Sequence, residues 1–540
     1  GASNVAVGKE ALEANTTGTQ NTAIGTSALA ANIIDDDNTA IGYNAMVANV
    51  SGNRNVAVGS LALDANTTAD GNTAIGYNAM TTNTTAENNT SVGFKSLRLN
   101  TTGTQNVAVG STALEANTTA DGNTAVGYAA LIANTTAANN TAVGHSALAA
   151  NTTGTANVAV GAAALDANTT ASYNIAMGYG ALGAATTGHS NTAIGHAALY
   201  VSTTGANNVA VGFAAMDANT KGANNVAIGM NALTTFNYTS DADTHNVVVG
   251  GSAGAALTTG VQNVAIGGLA LDAATTSSNN TAVGHGAMSA NTTGATNVAL
   301  GAGCLAANTT ATGNTAVGYA ALNLNTTGHS NVAIGYGALD ANTTSSNLTA
   351  VGTSALGVST GNFNVAFGTN AGDAVTTGDN NLLLGYDAGS DALITTTTAD
   401  NYIVLGNDST ANAVIKVDWT VGSDVRDKTD IETLSDNAGL NFVNQMRPVS
   451  YVWDNRTNYY PHTDERYGER DHSKKSTQKQ VGFIAQEIKA IEESIGWTDD
   501  HLVNTSNEQS YKLMYSQITP ILVKAIQELS AEVEELKQKA

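Results

Sequence analysis

Between Val421 and Ile431 the chain reads VGSDVRDKTDI. The Ser423 hydroxyl and the Lys428 amine, with Asp424, Arg426 and Asp427 beside them, are residue types that could carry covalent chemistry at this spacing. A serine is a weak nucleophile until a base removes its proton. Histidine is the usual base, and none lies near Ser423. Lysine takes that role only where burial brings its amine down from about 10.4 towards neutrality. Gly422, having no side chain, gives a nucleophile room to approach the preceding peptide bond. The same polar run would also serve as a linker or as the N-cap of the segment that follows it.

The stretch lies at a seam in composition. Residues 1–400 contain five basic residues (Lys9, Arg54, Lys95, Arg98, Lys221) and 21 acidic ones, whereas residues 401–540 contain 15 and 22. All three prolines and all three tryptophans lie in the second part. The net charge of −23 argues against binding a phosphate backbone, so no nucleic-acid partner is expected. A single cysteine, Cys304, excludes an intrachain disulfide framework and a multi-cysteine metal site, and nothing points to a cofactor or metal. No apolar run reaches the roughly 18 residues of a membrane span, so no membrane insertion is expected.

The first part is a repeat. NVAVG at Asn4 recurs as NTAIG at Asn21, Asn38 and Asn72 and as close variants, 24 copies in all. The period is 17 residues, lengthening to 21 at Asn225–Asn246 and again after Asn381, and shortening to 16 after Leu348. Each unit, N-[VT]-A-[VI]-G-x-x-A-L-x-A-N-T-T-G-x-x, holds two short apolar stretches closed by turn residues, which predicts two strands per coil of a β-solenoid. The third motif position is nearly always Ala and the fourth always apolar (Val7, Ile24, Ile41, Met177, Phe367). Side chains alternate faces along a strand, so a strand apolar on both faces needs a second buried surface, and another copy of the chain supplies it. Residues 4–406 resemble the left-handed parallel β-roll of trimeric autotransporter adhesin heads. That resemblance implies a left-handed β-roll and a homotrimer. Coils about 4.8 Å apart would give a rod on the order of 115 Å. The NTT triplets match a glycosylation acceptor pattern and also resemble the Thr pairs of ice-binding solenoids, but they are read as turn residues whose side chains cap the backbone. NIIDDDN (Asn32–Asn38) is read as a solvated acidic turn, with cation binding as the alternative.

The second part reads as a mixed domain. Leu440–Trp453 predicts a helix end and a strand, Val481–Ile495 a strand and then a helix, and Tyr511–Ala540 a long helix. Leu522, Ile526, Leu529, Val533 and Leu536 follow heptad spacing, which implies a coiled coil with partner helices. SDVRDKTDI, RPVSYVW, GFIAQEI and the terminal ITPILVKAIQELSAEVEEL occur in order. Together they resemble the intramolecular chaperone domain at the C-terminus of phage endosialidases and of many tail fibres and tailspikes. The resemblance implies a domain that trimerises, guides folding of the fibre before it, and then releases itself by autoproteolysis at its first serine. Carried onto this chain, the scissile bond is Gly422–Ser423, with Ser423 and Lys428 catalytic and Asp424 and Arg426 in orienting roles. Asp427 stands where the family usually has an apolar residue. A carboxylate there favours the ammonium, so cleavage is expected to be slow or absent.

These readings divide the chain into a solenoid shaft (1–400), a last coil and linker (401–422) and an α+β chaperone domain (423–540). The expected function is that of a phage tail-fibre protein, made in the host cytoplasm and carried on the virion. Its partners are itself, as a homotrimer, and a host-cell receptor, a glycan or outer-membrane component. The alternatives are a bacterial or prophage-encoded surface adhesin and, more remotely, an ice-binding solenoid. A glycan-cleaving enzyme would need converging carboxylates, whereas Glu13, Asp64, Asp121 and Asp166 are scattered at turns. Breaks in the repeat, Thr234–His245 and Tyr386–Asp400, are the candidate receptor loops.

Overall fold

A computed structural model of the chain describes residues 2–390, 397–407, 409–410, 414, 423–454, 459, 465–466, 468–499, 501–505 and 511–540. They form two compact units, Gly1–Ser346 and Asn347–Ala540. The boundary falls where Leu348 replaces the motif asparagine.

The first unit is a parallel β-solenoid. Each motif copy forms a three-residue strand that pairs with the next in register; in Val56–Val58 against Thr73–Ile75, Ala57 faces Ala74. There is one strand per coil, not the two expected. The second apolar stretch turns instead, because alternate residues adopt positive φ, as in Ser27 (56°) and Leu29 (51°). A left-handed leucine costs roughly 1–2 kcal/mol. Burying its side chain returns about as much, and Leu29 is fully buried. This wall still bonds from coil to coil, with Leu29 N–H donating to Ala45 O at 3.1 Å and Ala31 N–H to Val47 O at 3.2 Å.

Two asparagine ladders hold the corners. At the first motif position, Asn38 N–H donates to Asn21 Oδ1 (3.0 Å) while the Asn38 side-chain amide donates to Gly52 O (2.8 Å). At the twelfth position, the Asn66 amide donates to Asn49 Oδ1 (2.8 Å) and to Ala69 O (3.2 Å). Only an amide offers both donor and acceptor at this length, so it satisfies corner groups that burial would otherwise orphan. Motif glycines are equally constrained: Gly42 has φ 141°, and a Cβ there would lie 2.4 Å from Gly59 O. The NTT triplets are corner caps, as read. Their asparagines, such as Asn66, Asn117 and Asn151, are fully buried, and the first threonine donates to the next coil, Thr101 Oγ1 to Thr118 O at 2.9 Å. A buried acceptor asparagine cannot be glycosylated in the folded coil, and the threonines lie in bends rather than on a flat strand face.

The NIIDDDN turn departs from its reading. Asp35 takes a position that is Gly or Ala in neighbouring coils, so its side chain is buried, and its Oδ2 has no partner among the described residues. Burial, and then the carboxylates of Asp70 and Asp36, push the Asp35 carboxyl up to about 6. A folded-state value raised above the unfolded one adds stability that is complete below about pH 4 and is lost as pH rises through 6. Asp35→Asn is therefore expected to stabilise this coil by about 2 kcal/mol at pH 8 and to change little at pH 4. Hydrogen exchange at residues 33–38, variant against wild type at each pH, measures it. Among the described residues no cluster of three or more metal-ligating side chains occurs.

The second unit begins with four further motif strands, Thr349–Val351 to Ile403–Leu405, again parallel and in register. Its C-terminal part is α+β. Helix α1 (Leu440–Gln445) precedes strand Val449–Val452, which pairs antiparallel with Lys479–Gly482. Helix α2 (Ala485–Ser494), a short antiparallel pair (Val503–Asn504 with Lys512–Leu513) and the 25-residue helix α3 (Tyr515–Lys539) follow. Phe442, Met446, Ile488, Ile491, Leu502, Val503, Ile518 and Ile521 make one core. Glu528 of α3 accepts from Leu440 N–H (2.6 Å), satisfying a donor at the start of α1 from across the core. No helix among the described residues is long and apolar enough to cross a membrane.

Candidate functional site

The SDVRDK stretch folds into a single turn that brings its ends together. Asp424 caps a 3-10 turn over Val425–Asp427, its carboxylate accepting from Arg426 N–H at 2.9 Å and from Arg426 Nε at 3.0 Å. The Arg426 hydrogen bond holds the Asp424 carboxyl below the usual carboxylate range. Lys428 N–H closes the turn on Val425 O (3.3 Å). The turn returns the Lys428 side chain to its starting point, where Nζ donates to Ser423 Oγ at 2.7 Å. Candidate nucleophile and candidate base are thus in hydrogen-bond contact, and the two candidate orienting residues build the turn that puts them there. The polar-cap reading of the same residues holds as well: the cap is the device that forms the pair. Gly422, on the other side of the candidate bond, lies outside the described residues, as do Val421 and Trp419.

Residues 423–428 are all exposed in the single chain. Only a neutral lysine amine can accept the serine proton, and holding an amine neutral needs water and counter-charge excluded from around it. The turn therefore supplies geometry, and cover has to come from elsewhere.

Two apolar surfaces lie open. On helix α3, Ile518, Ile521 and Ala525 pack into the domain's own core, while Leu522, Ile526, Leu529, Val533 and Leu536 are exposed, so the heptad stripe is separate from the core-facing stripe. On the solenoid, the motif alanines of the stacked coils, from Ala23 on, point inward and are fully buried, while the fourth-position residues point outward, with Ile24 37% and Ile41 36% exposed. The sixth position continues that face with stacked rings: Tyr179, His196 and Phe213 stack in succession at 5.4 and 5.2 Å between centroids. Across all 24 copies, the second, fourth and sixth positions include one charged residue, Lys9, and no acid, in a chain with 43 acids. The outward fourth position is the second apolar surface expected from the sequence; its extension over the second and sixth positions would have been found by tabulating charge by motif position.

Further along, Asp454 gathers Tyr459 (2.8 Å), His472 (2.5 Å) and Arg470 (3.9 Å) and braces the start of the polar loop after strand Val449–Val452. The His472 hydrogen bond lowers the Asp454 carboxyl. Residues 455–458 and 460–464 of that loop, and Tyr467, lie outside the described residues, as do 391–396 of the Tyr386–Asp400 candidate receptor loop.

No curated protein and no solved structure matches the chain significantly. The residue that Lys428 contacts is the first of a family match: residues 423–497 match the family described as chaperone of endosialidase, so the β-solenoid is followed by a C-terminal domain similar to one whose family implies self-association into trimers and a role in folding.

Proposed function

We propose that the chain is the adhesive fibre of a phage tail, a homotrimer carried on the virion and made in the host cytoplasm, whose C-terminal domain assembles the three chains and then cuts at Gly422–Ser423. The observation that carries the assembly is the acid-free apolar face of the coils. On a chain of net charge −23, a face with one charged residue over 24 copies fits a like face, and contact between like faces buries the open apolar residues. The exposed heptad stripe of α3 supports the same reading, since a/d residues pack only against partner helices. The host-facing partner is a cell-surface receptor, a glycan or outer-membrane component.

Native mass measurement of the purified protein tests the assembly. The expected particle has three times the 54.3 kDa of the chain, less any fragment released by cleavage. A monomer at micromolar concentration, in physiological salt, sinks the reading.

A further inference from the structure

The column of asparagines at the twelfth motif position is broken in the coil that begins at Asn174, where the residue is Ala185. An intact member of the column makes three hydrogen bonds. The Asn151 side-chain amide donates to Asn134 Oδ1 of the coil before it (3.0 Å) and to Gly154 O of its own coil (2.9 Å), and Asn151 Oδ1 accepts from the Asn168 amide of the coil after it (2.9 Å). An alanine side chain makes none of the three.

The three groups that an amide at residue 185 would meet are all in place. Asn168 is fully buried, and its Oδ1, which would accept from residue 185, has no partner among the described residues. Ser202, the twelfth residue of the next coil, is also buried, and its Oγ, which would donate to residue 185, has none either. Gly188 O accepts from the Asn174 amide at 2.9 Å, where its counterpart Gly154 O accepts from both Asn140 and Asn151. Burying polar groups without partners is costly. The wall does not close over them. Thr169 N–H donates to Thr186 O at 3.3 Å and Thr186 N–H to Thr203 O at 3.1 Å, so the coils on both sides keep their stacking. Nor does another side chain fill the place. A Cβ on Gly154 would lie 2.6 Å from Asn151 Oδ1, whereas the atoms nearest a Cβ on Gly188 are backbone atoms of Thr204 and Gly205.

We propose that one buried water binds between Asn168, Gly188 and Ser202 and replaces the side-chain amide that Ala185 lacks. Water carries the two donors and the acceptor that the place requires. Its O–H groups donate to Asn168 Oδ1 and Gly188 O, and its oxygen accepts from Ser202 Oγ–H. Three bonds are the usual number for a buried water, and its share of liquid volume, about 30 Å³, suits the space of an amide's carbon, oxygen and nitrogen. A cation would find oxygens but no carboxylate among them to offset its burial. An anion would face two acceptor oxygens. The water thus carries the corner bonds across the break, from the coil at Asn157 to the coil at Asn191.

The test is a crystal structure of the full-length protein, as wild type and as Ala185→Asn, with hydrogen exchange of the Thr169, Ala184 and Thr186 backbone amides in both and in Ala185→Val. Wild type is expected to show one ordered water in hydrogen-bond contact with all three groups, and Ala185→Asn to show the amide in its place. Exchange in Ala185→Asn should be as slow as in wild type or several-fold slower, since the amide makes the same bonds without immobilising a water. Ala185→Val expels the water and leaves three buried groups unpaired, so it should exchange at least ten-fold faster. Blank density between the three groups in wild type overturns the proposal. So does Ala185→Val that exchanges more slowly than wild type, the response of a dry void that an apolar group fills. Should Ala185→Val fail to fold, the two crystal structures decide alone.

Discussion

A chain lacking residues 423–540 is expected to give aggregates or monomers, with at least ten-fold less soluble trimer than the full chain. The cause is the repeat itself. If three such chains pair one coil out of step, nearly every alanine, valine and asparagine still meets an equivalent residue, and contacts are lost only at the ends. Register is weakly specified where pattern repeats. Bringing three chains together also costs entropy before contacts accumulate. A finer period decides which errors persist. The second motif position is Val at Val5, Val56, Val107 and Val158, with Thr at the two coils between, and Glu13, Asp64, Glu115 and Asp166 recur with the same step of 51 residues. Over residues 4–224 a slip of three coils, about 14 Å, therefore restores valine on valine and acid on acid at these two positions, whereas a slip of one does not; beyond Asn225 the step of three is lost. Misassembled species of the truncated chain should therefore favour offsets of three coils within residues 4–224, which cross-linking with mass spectrometry reads directly. Soluble, full-register trimers from the truncated gene would contradict the assignment of register-setting to the C-terminal domain.

The coil count and the period were legible because Asn and Gly hold backbone roles here that few other residues can fill. Motif glycines such as Gly42 carry a positive φ against the next coil's carbonyl, and buried asparagines such as Asn38 and Asn66 serve as donor and acceptor at a corner. The second apolar stretch misled for a physical reason: nothing in the residue type of Leu29 announces a left-handed backbone, which only coil-to-coil bonding and complete burial stabilise. Asp35 misled in the same way, because an acid in a turn is ordinarily solvated and its burial follows from the position it takes in the stack. In the C-terminal domain the helix and strand order was readable from apolar spacing. The pairing of Leu440 with Glu528, 88 residues apart, was not, since it depends on how α1 and α3 meet across the core. At the candidate site the sequence supplied Ser423 and Lys428 through resemblance. The turn that joins them rests on Asp424 and Arg426, and it is local enough to have been drawn from capping alone.

Ser423→Ala is expected to leave folding and the trimeric state unchanged and to abolish cleavage at Gly422–Ser423. On a denaturing gel the wild type should resolve into fragments of 422 and 118 residues over time, and the variant should stay as one full-length band. The 2.7 Å contact from Lys428 supplies the pairing that a serine nucleophile needs, so Lys428→Gln should match Ser423→Ala. Because both side chains are exposed in the single chain, the neutral amine has to come from cover that assembly provides, and cleavage should follow trimer formation rather than precede it. Two further signs distinguish a lysine base from adventitious proteolysis. The rate should rise with pH, by at most ten-fold per pH unit, as it does whenever a neutral amine is the active base. Asp427→Leu, which restores the apolar residue usual at this place in the family it resembles, should accelerate cleavage several-fold. A single full-length band from assembled wild type, unchanged at high pH and in Asp427→Leu, would reduce the Ser423–Lys428 turn to a structural cap at the head of the domain.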